Sequence, residues 1–313
     1  MCPDYFGIYS IIEKEITDSL KCDLKTVVFK DYKYKNNLEK LQNFLSKTFL
    51  KKNLKKIWAS QQHIKSIKED DFYDIVFIIC PDFLLDNELE FIRKRAKKTI
   101  VYFWDSFKNI KGYERTLKYF DIKYSFEPRD VKKYDLNLLT NFYYNTTRND
   151  NSSNDLYYIG TFDERITTIE KIINSIEINN LKILIILISR KQKIKQKYQS
   201  NFIKFLDKPI TFTENEKIYN DSKIILDVHK PIQNGLTFRV FEAIGKGKKI
   251  ITTNKDIVNY DFYNPANIFV WSQENKKIPI EFFTNKYEEL PADILANYNV
   301  KNWVKTIFNE QNN

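Results

Sequence analysis

Residues 229–254 read HKPIQNGLTFRVFEAIGKGKKIITTN, and this stretch decides how the chain is understood. The protein has only six glycines, and three of them (Gly235, Gly245 and Gly247) fall here. An apolar, β-branched segment at 223–228 precedes the glycine loop, helical apolar spacing runs over 237–245, and a second strand-like run follows at 249–252. Strand, loop, helix, strand is the order expected of a parallel sheet with covering helices. Such a loop brings free backbone N–H groups and the positive end of a helix dipole to one point, which attracts an anion. Thr237 adds a hydroxyl. Arg239 and Glu242, three apart, share a helix face. A cation near phosphates with a carboxylate one turn deeper suits a nucleotide diphosphate and its ribose hydroxyls. The same residues admit a plainer reading, in which Gly245 ends the helix and Arg239 with Glu242 forms a surface ion pair.

The alternation extends in both directions. Upstream of the loop, strand patterns occupy 156–159 (ending at Gly160), 182–188 and 210–213, with helices at 163–176 and 215–221. Downstream lie a strand at 267–271 and an amphipathic helix at 300–308. The first half shows strands at 24–30, 74–80, 99–104 and 123–126, and helices at 36–50, 54–68, 88–97 and 113–119. Between the halves, 145–155 (NTTRNDNSSND) has no apolar period and reads as a linker. The expected organisation is an N-terminal Rossmann-like domain over 1–145, a linker over 146–155, a ligand-binding domain over 156–298 and a terminal helix over 299–313.

Composition narrows the function. With 42% hydrophobic, 29% charged and 15% aromatic residues, the chain is globular and can build large cores. Its longest apolar runs are strand-length, far short of a membrane-spanning helix, and no signal peptide is visible. Three cysteines without a CxxC pair argue against a disulfide framework and fit a reducing cytoplasm. No His, Asp or Glu cluster has metal-ligand spacing, so no metal is expected. The net charge of +10 fits nucleic acid, an anionic membrane surface or a phosphorylated substrate. Nucleic-acid binding needs exposed aromatics over a basic groove. The aromatics here sit in strand-like segments, so no nucleic acid is expected.

The block from Gly235 to Asn254, with Tyr260-Asp261-Phe262-Tyr263 and Asn267-Ile268 after it, resembles the nucleotide-sugar domain of bacterial GT-B glycosyltransferases. The likeness is to those of lipopolysaccharide or capsule synthesis and the related CgeB-like group. Tyr73-Asp74-Ile75-Val76-Phe77, Tyr102-Phe103-Trp104-Asp105-Ser106 and Phe126-Glu127-Pro128-Arg129-Asp130 have counterparts in the same proteins. The resemblance implies an α/β protein of two Rossmann-like domains facing across a cleft, with the nucleotide-sugar donor held by the second and a glycan or glycolipid acceptor by the first. It implies ribose binding by Glu242, a diphosphate at Gly235, Thr237 and Arg239, and a site bounded by Gly160 and Arg165. The terminal helix near Trp303 would cross back onto the first domain. No cofactor beyond the donor substrate is implied.

Two departures stand out. Many retaining members carry an acidic residue eight positions before the ribose glutamate, where this chain has Asn234. These proteins also usually begin with a strand ahead of the stretch matching 5–17, which this chain is expected to start too late to supply. An inverting reaction needs a base for the acceptor hydroxyl. Asp105, in its Trp-Asp-Ser context, is the candidate, with loop bracing as its alternative role; Asp82 reads as a cap. His229, at a strand end beside the loop, is a candidate phosphate or sugar donor. The expected activity is sugar transfer to a lipopolysaccharide, capsule or other cell-surface glycan, in the cytoplasm and at the inner face of the membrane. The alternatives are a non-catalytic nucleotide-sugar binder and a basic nucleic-acid binder.

Overall fold

The computed structural model describes residues 1–4, 7–149 and 152–309. Asp150 and Asn151 of the expected linker, and 310–313 of the expected terminal segment, lie outside the described residues. The chain divides into two compact units, Met1–Leu139 and Thr140–Asn313. Each is α/β and built on parallel strands, and the sheet of the second unit has the Rossmann order.

The first unit runs β1 (Cys2–Pro3), α1 (Ile8–Leu20), β2 (Val28–Phe29), α2 (Asn37–Phe49), α3 (Leu54–Ile64), β3 (Tyr73–Ile79), α4 (Asp86–Arg93), β4 (Ala96–Phe103), β5 (Ile122–Ser125), α5 (Pro128–Tyr134) and β6 (Asn137–Leu138). A sheet of order β3-β4-β5-β6 is parallel throughout, and β1 pairs in parallel with β2. The Ile79 amide donates to the Met1 carbonyl at 2.9 Å, which ties β1 to β3. The expectation of a missing first strand is therefore corrected: Cys2–Pro3 supplies it. The strand expected over 24–30 shrinks to two residues, because its partner β1 offers only two. The helix expected over 88–97 stops at Arg93, since Ala96 and Lys98 are drawn into register with Tyr73 and Ile75. Residues 114–119 form a 3-10 turn rather than an α-helix. Pro128 at the first turn of α5, capped by Glu127, opens a helix not foreseen from the sequence.

The second unit runs β7 (Asn154–Thr161), α6 (Ile166–Asn174), β8 (Ile183–Ile188), α7 (Gln192–Lys197), β9 (Ile203–Leu206), α8 (Phe212–Asn220), β10 (Ser222–Asp227), α9 (Phe238–Gly245), β11 (Lys249–Thr252), β12 (Ile268–Val270), α10 (Ile280–Thr284), α11 (Ala292–Asn297) and α12 (Val300–Asn309). Its parallel sheet has the order β12-β11-β10-β7-β8-β9. Alternate strand residues feed two apolar layers, as the two-residue period requires. Leu156, Tyr158, Ile224 and Leu226 join α6 on one face. Tyr157, Ile225 and Ile250 join Val240, Phe241 and Ile244 of α9 on the other.

The strand expected at 210–213 is displaced. β9 lies at Ile203–Leu206, and Thr211 instead caps α8 in a reciprocal box with Glu214. Parts of the polar stretch 145–155 are bound to the second unit: Asn145 to Glu216, and the Ser153 amide to Asp221 at 3.0 Å. α12, expected to cross onto the first domain, belongs to the second unit and sets Trp303 4.9 Å from Phe142. No helix among the described residues is long and apolar enough to cross a membrane.

Candidate functional site

From β7 the second unit's chain steps outward through β8 and β9, then returns to the far side of β7 and continues through β10, β11 and β12. The direction reverses between β7 and β10. At such a point the loops leaving the carboxyl ends of the two strands part and open a crevice, which is where open α/β sheets bind ligands. Gly160 lies near the end of β7 and Asp227 ends β10, so both sit at this crevice.

Asp227, which the sequence analysis did not single out, is the hub. It is fully buried. Its Oδ1 accepts hydrogen bonds from Thr237 Oγ1 at 2.8 Å and Arg239 Nη1 at 2.7 Å, and its Oδ2 accepts from Thr252 Oγ1 at 3.0 Å. A buried carboxylate is stable only with such partners. Arg239 Nη2 also donates to the Ile159 carbonyl at 2.9 Å, and the guanidinium lies 5.0 Å from the Tyr158 ring centre. Burial opposes the charge on Arg239, but Asp227, with Tyr158 and Tyr219, raises its pKa above the ordinary value. Thr237 and Arg239, expected at a diphosphate, thus have side chains held by Asp227. Because its hydroxyl serves Asp227, Thr237 does not cap α9 with its side chain. One cue to this hub was visible in sequence: Asp227 ends the run Ile224-Ile225-Leu226, where a lone acid must find a partner.

Arg165 and His229 lie around the same strand ends. Arg165 is forked onto Asp163, with contacts of 2.8 to 3.0 Å, and donates to the Val228 carbonyl at 3.2 Å. The His229 amide donates to Thr253 Oγ1 at 3.1 Å, and its Nδ1 lies 2.8 Å from the same oxygen. With the Thr253 proton directed to Nδ1, the neutral ring carries its own proton on Nε2. Burial pushes the His229 pKa below 6.5, against the pull of Asp227 and Asp256, so the ring is neutral at pH 7. Gly160 is required by packing, because a Cβ there would come within 2.6 Å of the Tyr158 hydroxyl.

Glu242 lies one turn beyond Arg239 on α9. It is 6% exposed, and among the described residues its carboxylate has no hydrogen-bond or ion-pair partner. Burial pushes its pKa up to about 8, opposed by Arg239 and Lys246 and assisted by Glu216. No ion pair joins it to Arg239, which is taken by Asp227. Lys246, itself buried, pairs with Glu216 at 3.1 Å. The Tyr144 hydroxyl is buried nearby, its pKa raised by burial and then by Glu242 and Glu216. Gly245 and Gly247 are structural: Tyr143 fills the space of a Cβ at Gly245, and Gly247 takes φ +58 against Arg148. Beyond the ends of β7 and β8, a cleft of about 670 Å³ is lined by Thr161, Asp163, Ser189, Arg190, Lys191 and Tyr198. That volume lies in the range of small-molecule sites.

In the first unit, Asp105 follows β4. Its Oδ1 accepts from the Ser106 amide at 2.7 Å and its Oδ2 from Asn109 Nδ2 at 2.5 Å, the geometry of a loop brace. Asp82 follows β3, and burial raises its pKa, with Lys56 and Arg115 opposing and Asp105 adding to the rise. Asp130 is raised likewise, by burial and by Glu127. Glu127 and Asp130, both buried, were given no role from sequence, where they stood only within the Phe126–Asp130 stretch of the resemblance.

No family model and no curated protein matches the chain. Among solved structures, it is similar to Anabaena Alr3699/HepE in complex with UDP and glucose, at 11% identity and TM-score 0.47, covering 94% of this chain and 84% of that one. It is similar to a chain of the Streptococcus agalactiae Gap123 complex at 13% identity and TM-score 0.44, covering 82% of this chain but only 57% of the other's length. It is also similar to T4 phage BGT in complex with UDP-glucose, at 13% identity and TM-score 0.37, covering 74% of this chain and 78% of that one.

Proposed function

We propose that the protein is a glycosyltransferase of the GT-B type. A nucleotide-sugar donor binds the second unit, and its sugar passes to a lipopolysaccharide, capsule or other cell-surface glycan acceptor, without a metal, in the cytoplasm and at the inner face of the membrane. The observation that carries this reading is Glu242: a buried carboxyl group with no hydrogen-bond or ion-pair partner among the described residues, one helical turn from the Asp227–Arg239 pair. Ribose hydroxyls give such a group the hydrogen bonds it lacks. Arg165 and the start of α9 supply positive potential for the departing diphosphate. His229, with its proton on Nε2, donates a hydrogen bond to a phosphate or sugar oxygen. Asn234 stands where many retaining members carry a second acid, so retention has no support here, and an inverting transfer needs a base. A base takes the acceptor proton as the hydroxyl oxygen bonds to the anomeric carbon and the bond to the diphosphate breaks. Asp105 is that base, with Asp82 the alternative that burial favours.

A second reading, a nucleotide-sugar binder without transferase activity, draws on the two bracing bonds that already occupy Asp105. A thermal-shift panel of UDP-, GDP-, CMP- and dTDP-linked sugars with wild type and Glu242→Ala tests the donor site. Stabilisation by one nucleotide family, lost in the variant, supports it, and equal shifts in both proteins refute it. Donor turnover with an acceptor glycan then separates enzyme from binder.

A further inference from the structure

α2 is built inside out. Its inward side carries polar residues: Asn43 is 3% exposed and Ser46 is 5% exposed. Asn43 Nδ2 donates to the Tyr34 hydroxyl at 2.7 Å while its Oδ1 accepts from the Lys55 amide, and Ser46 Oγ donates to the Lys52 carbonyl at 3.0 Å. The outward side carries Leu38, Leu41, Phe44, Leu45 and Phe49, and Leu50 follows at the helix end; their exposures run from 43% to 76%. Six of the ten exposed large hydrophobic residues among the described residues are therefore gathered in 38–50. Leu38, Leu41, Leu45 and Phe49 recur at helical spacing and form one stripe, with Phe44 at its edge. Isolated exposed apolar residues need no explanation, but a contiguous stripe of this size marks an interaction surface.

The charge around the stripe selects the occupant. Between positions 33 and 56 there are eight lysines (Lys33, Lys35, Lys40, Lys47, Lys51, Lys52, Lys55 and Lys56) and one acid, Glu39. Glu39 is occupied by the Lys35 amide and the Tyr32 hydroxyl. A second copy docking this face on itself would set the two lysine rims against each other, since a two-fold interface pairs a patch with its own image. A duplex or single strand of nucleic acid would leave the leucines unused. We propose that α2 lies flat on a bilayer carrying anionic phospholipids, its leucines and phenylalanines at the headgroup–acyl boundary and its lysines against the lipid phosphates. None of the residues assigned to the donor site is on α2, so this surface stands or falls independently of that assignment.

The test is flotation of the full chain with vesicles of phosphatidylcholine alone and with about one third phosphatidylglycerol, at low and high salt. Wild type is expected to bind the anionic vesicles, with binding weakened by salt. Leu41→Ser, Phe44→Ser and Phe49→Ser combined should reduce partitioning at least about tenfold, and Lys47→Glu, Lys51→Glu and Lys52→Glu should remove the preference for anionic lipid. All six side chains are exposed, and circular dichroism checks that the fold is kept. Absent vesicle binding, or binding that both variants retain, overturns the proposal. So does a concentration-dependent dimer in light scattering that the serine variant abolishes, because a second copy would then cover the face.

Discussion

Glu242→Gln separates stability from ligand binding. In the unliganded protein the Glu242 carboxyl has an ordinary value of 4.5 raised to about 8 by burial. Below pH 4.5 the group is protonated in both the folded and the unfolded chain, so its ionisation adds no cost. Between 4.5 and 8 the unfolded chain releases a proton that the folded chain keeps, and stability falls as pH rises. Above about 8 the folded protein carries the buried charge and the penalty levels off. The full difference corresponds to at most about 5 kcal/mol. Glutamine keeps the shape and removes the titration. The variant should therefore match wild type near pH 4.5 and exceed it increasingly up to about pH 8. For a unit of this size the gap at pH 8.5 amounts to a rise of roughly 5–15 °C in Tm. Melting of both proteins across this pH range measures it, and adding the nucleotide sugar that stabilises wild type should leave the variant's Tm unmoved. A gap that does not change with pH, or a variant less stable than wild type at pH 8.5, would refute the burial argument.

Three further outcomes follow from the same geometry. Asp227→Ala leaves the Arg239 guanidinium buried without its partner and strips acceptors from Thr237 and Thr252, so it should cost about 3–5 kcal/mol in denaturant unfolding; a cost under 1 kcal/mol would show that the hub is not structural. Asp105→Asn should lower transfer at least about 100-fold with donor binding unchanged if Asp105 is the base; if Asp82→Asn alone abolishes transfer, the role moves to Asp82. His229 resists protonation when folded, so its contribution to stability is present above pH 6.5 and is lost as pH falls through its lowered folded pKa. Its ring resonances should titrate with a midpoint below 6.5, and a midpoint at or above that value would contradict its burial.

Much of the fold was legible in the sequence because buried parallel strands are written as uninterrupted apolar runs, such as the run that became β8 and the one that became β10. The failures have local causes. The segment around Thr211 reads as β-branched and short, yet Thr211 and Glu214 stand at the spacing of a capping box, and that local hydrogen bonding outweighed strand propensity. The two residues of β1 leave no periodic trace, so its existence depends on the neighbours it pairs with. For the site, the glycine loop and its neighbours were legible as one group, since Gly160, Arg165, His229, Thr237 and Arg239 all gather near the ends of β7 and β10. What could not be read was who pairs with whom. Arg239 and Glu242 share a helix face by spacing, but a carboxylate reached only through tertiary folding, Asp227, takes the arginine in place of Glu242.

The way the second unit is closed bears on its synthesis. The Tyr143 amide donates to the Tyr298 carbonyl at 2.9 Å, the Val300 amide donates back to the Tyr143 carbonyl at 2.8 Å, and Trp303 packs on Phe142. The residues that open this unit are thus sealed by those of α12. On the ribosome the first unit can complete all of its internal pairings while the second is still being translated. The second must hold its open sheet, with Phe142 and Tyr143 covered only in part by Phe238 and Gly245, until Val300–Asn309 emerges. A pause or truncation ahead of α12 would therefore leave a half-closed unit with partly exposed aromatics, a state prone to aggregation.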